Sequence, residues 1–130
     1  MASILKVDTI TGVATAGSIA ITGEGNSTTT NLQQGLVKAW NKGDSDATRL
    51  DSFNLSSNTD NGTGDFTYTL TNAMGNANYS IVASAQYANT SAPDYPEQTT
   101  TAYNVHVFTR HDSLTADNSK HTQIIAGDLA

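Results

Sequence analysis

Asp65-Phe66-Thr67-Tyr68-Thr69-Leu70-Thr71 alternates large apolar side chains with threonines over a full strand length. Successive side chains of an extended chain point to opposite faces, so Phe66, Tyr68 and Leu70 share one face and the threonines the other. That is the pattern of a strand with one buried and one solvated face, built from residue types that suit a pleated surface. It is bracketed by turn chemistry. Asn58-Thr59-Asp60-Asn61-Gly62-Thr63-Gly64-Asp65 precedes it and Asn72-Ala73-Met74-Gly75-Asn76-Ala77-Asn78 follows it, both rich in Asn and Gly, which tolerate positive φ at little strain.

Working outward, Tyr79, Ile81, Ala83 and Ala85 alternate with polar residues, as do Tyr103, Val105 and Val107. A last strand is predicted near Thr122 to Ala126. Upstream, Leu36, Lys38 and Trp40 alternate with Val37 and Ala39, which predicts a face holding Leu36 and Trp40, with Trp40 in the core. Residues 50–55 form one further strand with Phe53 and Leu55 on one face. A long polar loop with both prolines is expected from about Tyr87 to Thr101, and another from Arg110 to Ser119. Strands recurring at roughly 8–12-residue spacing predict an all-β fold over residues 35–130, an antiparallel β-sandwich of jelly-roll-like form. Any helix is confined to one turn near residues 29–34, where Thr or Asn can cap it.

Residues 1–34 read differently. Ile4, Leu5, Val7 and Ile10 sit in a short extended stretch, and Ile19 and Ile21 in a second between Gly17 and Gly23, both too thinly apolar to bury a core alone. Residues 23–31 are the most polar Gly/Ser/Thr-rich connection in the chain and read as a linker or exposed turn. A short extended N-terminal arm thus precedes the sandwich. Its apolar residues Ile4, Leu5, Val7, Ile10, Ile19 and Ile21 are candidate assembly contacts, because copies of the chain or a partner must supply the missing core.

Composition excludes several classes. Twenty Thr, twelve Ser, twelve Asn and ten Gly stand among 130 residues, whereas charged residues are 14%, so helix-rich folds are disfavoured. Six cations against twelve carboxylates, net charge −6, argue against nucleic-acid binding, which needs a basic stripe. The absence of cysteine removes disulfides and thiolate metal sites, and suits a protein made in a reducing cytoplasm. No apolar run is long enough for a membrane span, and the N-terminus does not read as a classical signal peptide.

Candidate chemistry is sparse. His106, His111 and His121 match no zinc spacing and fall on strand edges or loops, where a solvated imidazole needs no special role. Asp60, Asn61 and Asp65 lack the closing glutamate of a calcium loop and are better read as a hairpin turn. Asp94 and Glu97, on a polar loop, lack the apolar burial that tunes a catalytic carboxylate pair. Without a nucleophile elbow, a phosphate loop or a metal motif, the expectation is no enzyme and no cofactor. Tyr87, Asn89, Asp94, Tyr95 and Gln98 form a possible surface-ligand loop, since exposed aromatics beside amides and carboxylates stack on sugars or protein epitopes. The same tyrosines are also able to fold back and pin the loop.

The order of motifs resembles a known group. Ser3-Ile4-Leu5-Lys6-Val7-Asp8-Thr9-Ile10 resembles the start of small tail-fibre-like and other virion structural proteins of bacteriophages, marine ones especially. Gly35-Leu36-Val37-Lys38-Ala39-Trp40, Asp51-Ser52-Phe53-Asn54-Leu55-Ser56-Ser57, the Thr59 to Thr67 turn and strand, and Thr71-Asn72-Ala73-Met74 with Asn78-Tyr79 are similar to a β-rich module of those proteins. The resemblance spans residues 3–10 and 35–87 and covers 88–120 poorly. It implies a virion component, made in the host cytoplasm and exposed on the particle: a homotrimeric fibre or spike with an attachment arm at residues 1–34 and an outward-facing head at 35–130. Its implied partners are other virion proteins of the capsid, portal, neck or tail, and a host-surface glycan or protein. A capsid decoration or cement protein is the alternative role.

Overall fold

The computed structural model describes residues 4–12, 19–22, 29–86, 89–94, 97–109, 115 and 120–128. The chain divides into two units, Met1–Gly35 and Leu36–Ala130. In the first, β1 (Ala20–Thr22) and β2 (Thr29–Asn31) pair antiparallel, with Ile21 opposite Thr30. A single helical turn, α1 (Leu32–Gly35), follows and is tied back by the Leu32 N–H donating to the Ile19 carbonyl at 2.8 Å. Thr29–Asn31, expected within a linker, is therefore a strand, as β-branched threonine favours. Residues 4–12 belong to no strand or helix.

The second unit is an all-β sandwich of two four-stranded antiparallel sheets. The front sheet runs β4 (Arg49–Phe53), β3 (Val37–Gly43), β10 (His121–Ala126), β7 (Ser80–Ala85). The back sheet runs β5 (Leu55–Gly62), β6 (Asp65–Leu70), β9 (Ala102–Thr109), β8 (Asn89–Asp94). Phe66, Tyr68 and Leu70 of β6 and Tyr103, Val105 and Val107 of β9 fill the interior as their alternation predicts, joined by Leu55, Met74, Tyr79 and Ile81.

The front sheet's inner face is unexpectedly polar. Asn41, Gln123 and His121 point inward with Ala39 and Ile125, and the Asn41 amide donates to Gln123 Oε1 at 3.0 Å. His121 is 1% exposed; its ring stacks on Phe66 at 4.7 Å and its Nε2 is hydrogen-bonded to the Tyr68 hydroxyl. The solvated-edge reading of His121 is thus overturned, because the tyrosine hydroxyl supplies the partner that a buried imidazole requires. Burial pushes the Tyr68 and Tyr103 hydroxyls well above the usual tyrosine range.

Three other expectations shift. Residues 50–55 are not one strand: Asn54, at φ +59°, breaks them into β4 of the front sheet and β5 of the back. Asparagine is among the few non-glycine residues that enter this region readily. Here its side chain fixes the corner, donating to the Lys38 carbonyl at 3.0 Å and accepting from the Asn72 backbone N–H at 2.8 Å. Phe53 therefore faces out and Leu55 in. Second, the turn expected over 58–65 shrinks to Thr63–Gly64, with β5 and β6 paired up to Gly62↔Asp65. Third, β8 forms inside the expected polar loop. It is an edge strand, where Pro93 is tolerated because one side of the strand needs no ladder bond.

Candidate functional site on the front sheet

Directly opposed residues in antiparallel strands share a face. Phe53 lies opposite Trp40, Trp40 opposite Ile124 and Ile124 opposite Val82, so four apolar side chains from four strands line up across the outer face of the front sheet. Phe53, Ile124 and Val82 are 51–67% exposed and Trp40 is half-buried. Trp40, expected in the core, is here instead. The face of Trp40 follows from register: Ala39, Asn41 and Gly43 pair with the inward Ile125, Gln123 and His121, and the slip between Ile125 and Ala126 leaves Lys38 as an extra residue that breaks its alternation with Trp40.

The next row on the same face is Asp51, Lys42, Thr122 and Ser84. Its Ser84 and Thr122 hydroxyls are 2.9 Å apart and hydrogen-bonded. Lys42, Ser84, Gln86, Lys120 and Thr122 line an open cleft of about 270 Å³ at this end of the sheet. Two of the chain's six cations therefore border one cleft, and neither is ion-paired among the described residues.

The outer face of the back sheet contrasts with this one. Asn61 donates to Thr67 Oγ1 at 2.7 Å, and Asn104 donates to Asp65 Oδ1 at 2.7 Å. Asn61, Asp65, Thr67 and Asn104 are thus linked by side-chain hydrogen bonds, although Asn104 is itself buried and its Oδ1 has no partner among the described residues. His106 sits beside them, stacked with Phe108 at 5.9 Å. Among the described residues no three His, Asp or Glu side chains are grouped to hold a metal ion, and no helix is long and apolar enough to cross a membrane.

The residues expected to form a ligand loop are only partly described. Tyr87 and Tyr95 lie outside the described residues, and Asn89 and Asp94 are the end residues of β8. Gln98 is buried: its amide donates to the Ala77 carbonyl at 2.7 Å and the Tyr79 carbonyl at 2.8 Å. The Tyr79 hydroxyl in turn donates to the Thr99 or Ala102 carbonyl, at 2.9 and 3.0 Å, and burial pushes it up to about 12. This end of the segment is a structural clasp. Of the assembly candidates, Ile4 and Leu5 are about four-fifths exposed, Val7, Ile10 and Ile21 more than half exposed, and Ile19 half-buried. Sequence reasoning found these six but missed the Phe53–Trp40–Ile124–Val82 row, for which no single segment carries a signal.

The fold and this face define an antiparallel β-sandwich with an N-terminal unit and an apolar outer surface on one sheet. No family model, no curated protein and no solved structure matches the chain.

Proposed function

We propose that the protein is a non-enzymatic bacteriophage virion component, a homotrimeric fibre or spike held to the particle through residues 1–34, with its sandwich turned outward for contact with the host surface. One observation carries the self-association part: the chain exposes apolar side chains both on residues 4–10 and in one contiguous row across the front sheet, a patch of the kind that marks an interaction surface. The virion assignment is supported by the resemblance of residues 3–10 and 35–87 to phage structural proteins. Catalysis is no part of the proposal, since the sequence carries none of the motifs that would organise it.

Quantifying the protein in purified particles, with and without its gene, tests this reading. A few copies per particle and lost adsorption in the deletion are expected. A copy number matching the shell lattice, with adsorption intact and a less stable shell, favours the decoration role. Absence from the particle overturns both.

A further inference from the structure

We propose that residues 4–10 of one copy lie across the front sheet of a second copy, along the Phe53–Trp40–Ile124–Val82 row, with Asp8 beside Lys42 and Lys6 beside Asp51. This rests on the self-association in the proposed function and names the surface through which it occurs.

Four features of the chain converge on this pairing. The first is the asymmetry of the sandwich: the back sheet's outer face carries a hydrogen-bonded polar cluster around Asp65 and Thr67, whereas the front sheet's presents the apolar row. The second is fit. Four adjacent strands place Phe53 and Val82 about 14 Å apart, and seven extended residues span about 20 Å, so the arm is long enough to cross the whole row.

The third is charge. The arm reads apolar-apolar-Lys6-Val7-Asp8, and the row beside the apolar one reads Asp51, Lys42. An arm running across the strands brings Lys6 to Asp51 and Asp8 to Lys42, whereas the reverse direction sets like charges together. Direction is thereby specified, as electrostatic complementarity does at other interfaces. Lys120 adds a second cation at the Lys42 end.

The fourth is area. A half-exposed large side chain offers on the order of 100 Å². In an extended arm Ile4 and Ile10 share the face of Lys6 and Asp8, so the four side chains of the row and these two bury about 600 Å² when one arm covers one face. Every copy both gives and receives an arm, so in a trimer it shares about 600 Å² with each of its two neighbours, a small interface that the charge pairing must reinforce.

The chain has no cysteine, so introduced thiols are unique. Asp8→Cys and Lys42→Cys variants are mixed under mild oxidation, and the wild-type chain is sedimented alongside. The expected result is an oligomeric wild type and an interchain disulfide joining position 8 of one copy to position 42 of another, in clear excess over 8–8 and 42–42 links. A disulfide needs Cα atoms within about 7 Å, so the link reports direct apposition. Adding Val82→Asp to the Lys42→Cys copy should reduce the link about tenfold; Val82 is exposed on an edge strand, and far-ultraviolet circular dichroism checks that the sandwich stays folded. An oligomer that gives no 8–42 link overturns the docking site and leaves self-association standing. A monomeric wild type overturns both. A double Asp8→Cys, Lys42→Cys chain that forms only an internal disulfide overturns the exchange between copies.

Discussion

Replacing Asn54 with glycine and with alanine separates the two things this residue does. At φ +59° it turns the chain from the front sheet to the back, and its side chain ties the corner to Lys38 and Asn72. Glycine keeps the backbone free and loses the side-chain bonds. The 3.0 Å bond to the Lys38 carbonyl and the 2.8 Å bond from the Asn72 N–H are the two well-formed backbone contacts, worth about 1 kcal/mol net each, so Asn54→Gly is expected to destabilise the sandwich by about 2 kcal/mol. Alanine loses the same bonds and must also enter the left-handed region, which adds about 1 kcal/mol, for a total near 3 kcal/mol. Urea unfolding followed by Trp40 fluorescence is the assay, because the single tryptophan lies opposite Phe53 and next to the corner. With a slope of about 1 kcal/mol per molar urea, the midpoint should fall by about 2 M for glycine and 3 M for alanine. An alanine variant as stable as the glycine variant would refute the backbone part of the reasoning, and a glycine variant within about 0.5 kcal/mol of wild type the side-chain part.

Other perturbations reach the core. Tyr68→Phe strands the buried His121 Nε2 and should cost about 1–3 kcal/mol; combined with His121→Leu, the loss should be smaller than the sum of the singles in a double-mutant unfolding cycle. Gly127→Ala places a Cβ 2.6 Å from Tyr79 Cβ and 2.9 Å from Met74 Cε, so overpacking of about 1–3 kcal/mol should appear as a lower Tm in calorimetry. Alkaline titration should leave stability unchanged from neutral pH up to the ordinary tyrosine range near 10. Above that, the unfolded chain ionises its tyrosines while folded Tyr79 holds its proton up to about 12 and Tyr68 and Tyr103 beyond, so unfolding free energy must fall as pH rises. Circular dichroism against pH checks this, and a flat profile through pH 12 would contradict it.

The back sheet was legible because its inward residues are large and apolar. Phe66, Tyr68 and Leu70, like Tyr103, Val105 and Val107, announce their face by alternation alone. The front sheet hides its face: on β3 the inward residues are Ala39, Asn41 and Gly43 and the outward ones include Trp40, so hydrophobicity points the wrong way. On β10, His121 and Gln123 are inside and Ile124 outside for the same reason. The polar inward groups take partners remote in sequence: Asn41 pairs with Gln123 on the neighbouring strand, and Tyr68 satisfies His121 from the other sheet. The corner at Asn54 and the edge strand around Pro93 depend likewise on neighbours that local propensity does not contain. Of the candidate site, the arm's half was visible as hydrophobic residues with nothing to cover them. The sheet's half required register, since Phe53, Trp40, Ile124 and Val82 become neighbours only once four strands are paired.

The position of β10 between β3 and β7 bears on how the chain is made. Asn41 and Gln123 hydrogen-bond across 82 residues of sequence, so the front sheet closes only when nearly all of the sandwich has left the ribosome. Until then β3 and β7 each keep a free edge of N–H and C=O groups flanking a strand-wide gap. A neighbouring nascent copy carries an identical β10, able to fill that gap in the same register. Exchange of β10 between two copies would therefore keep every ladder bond of the front sheet.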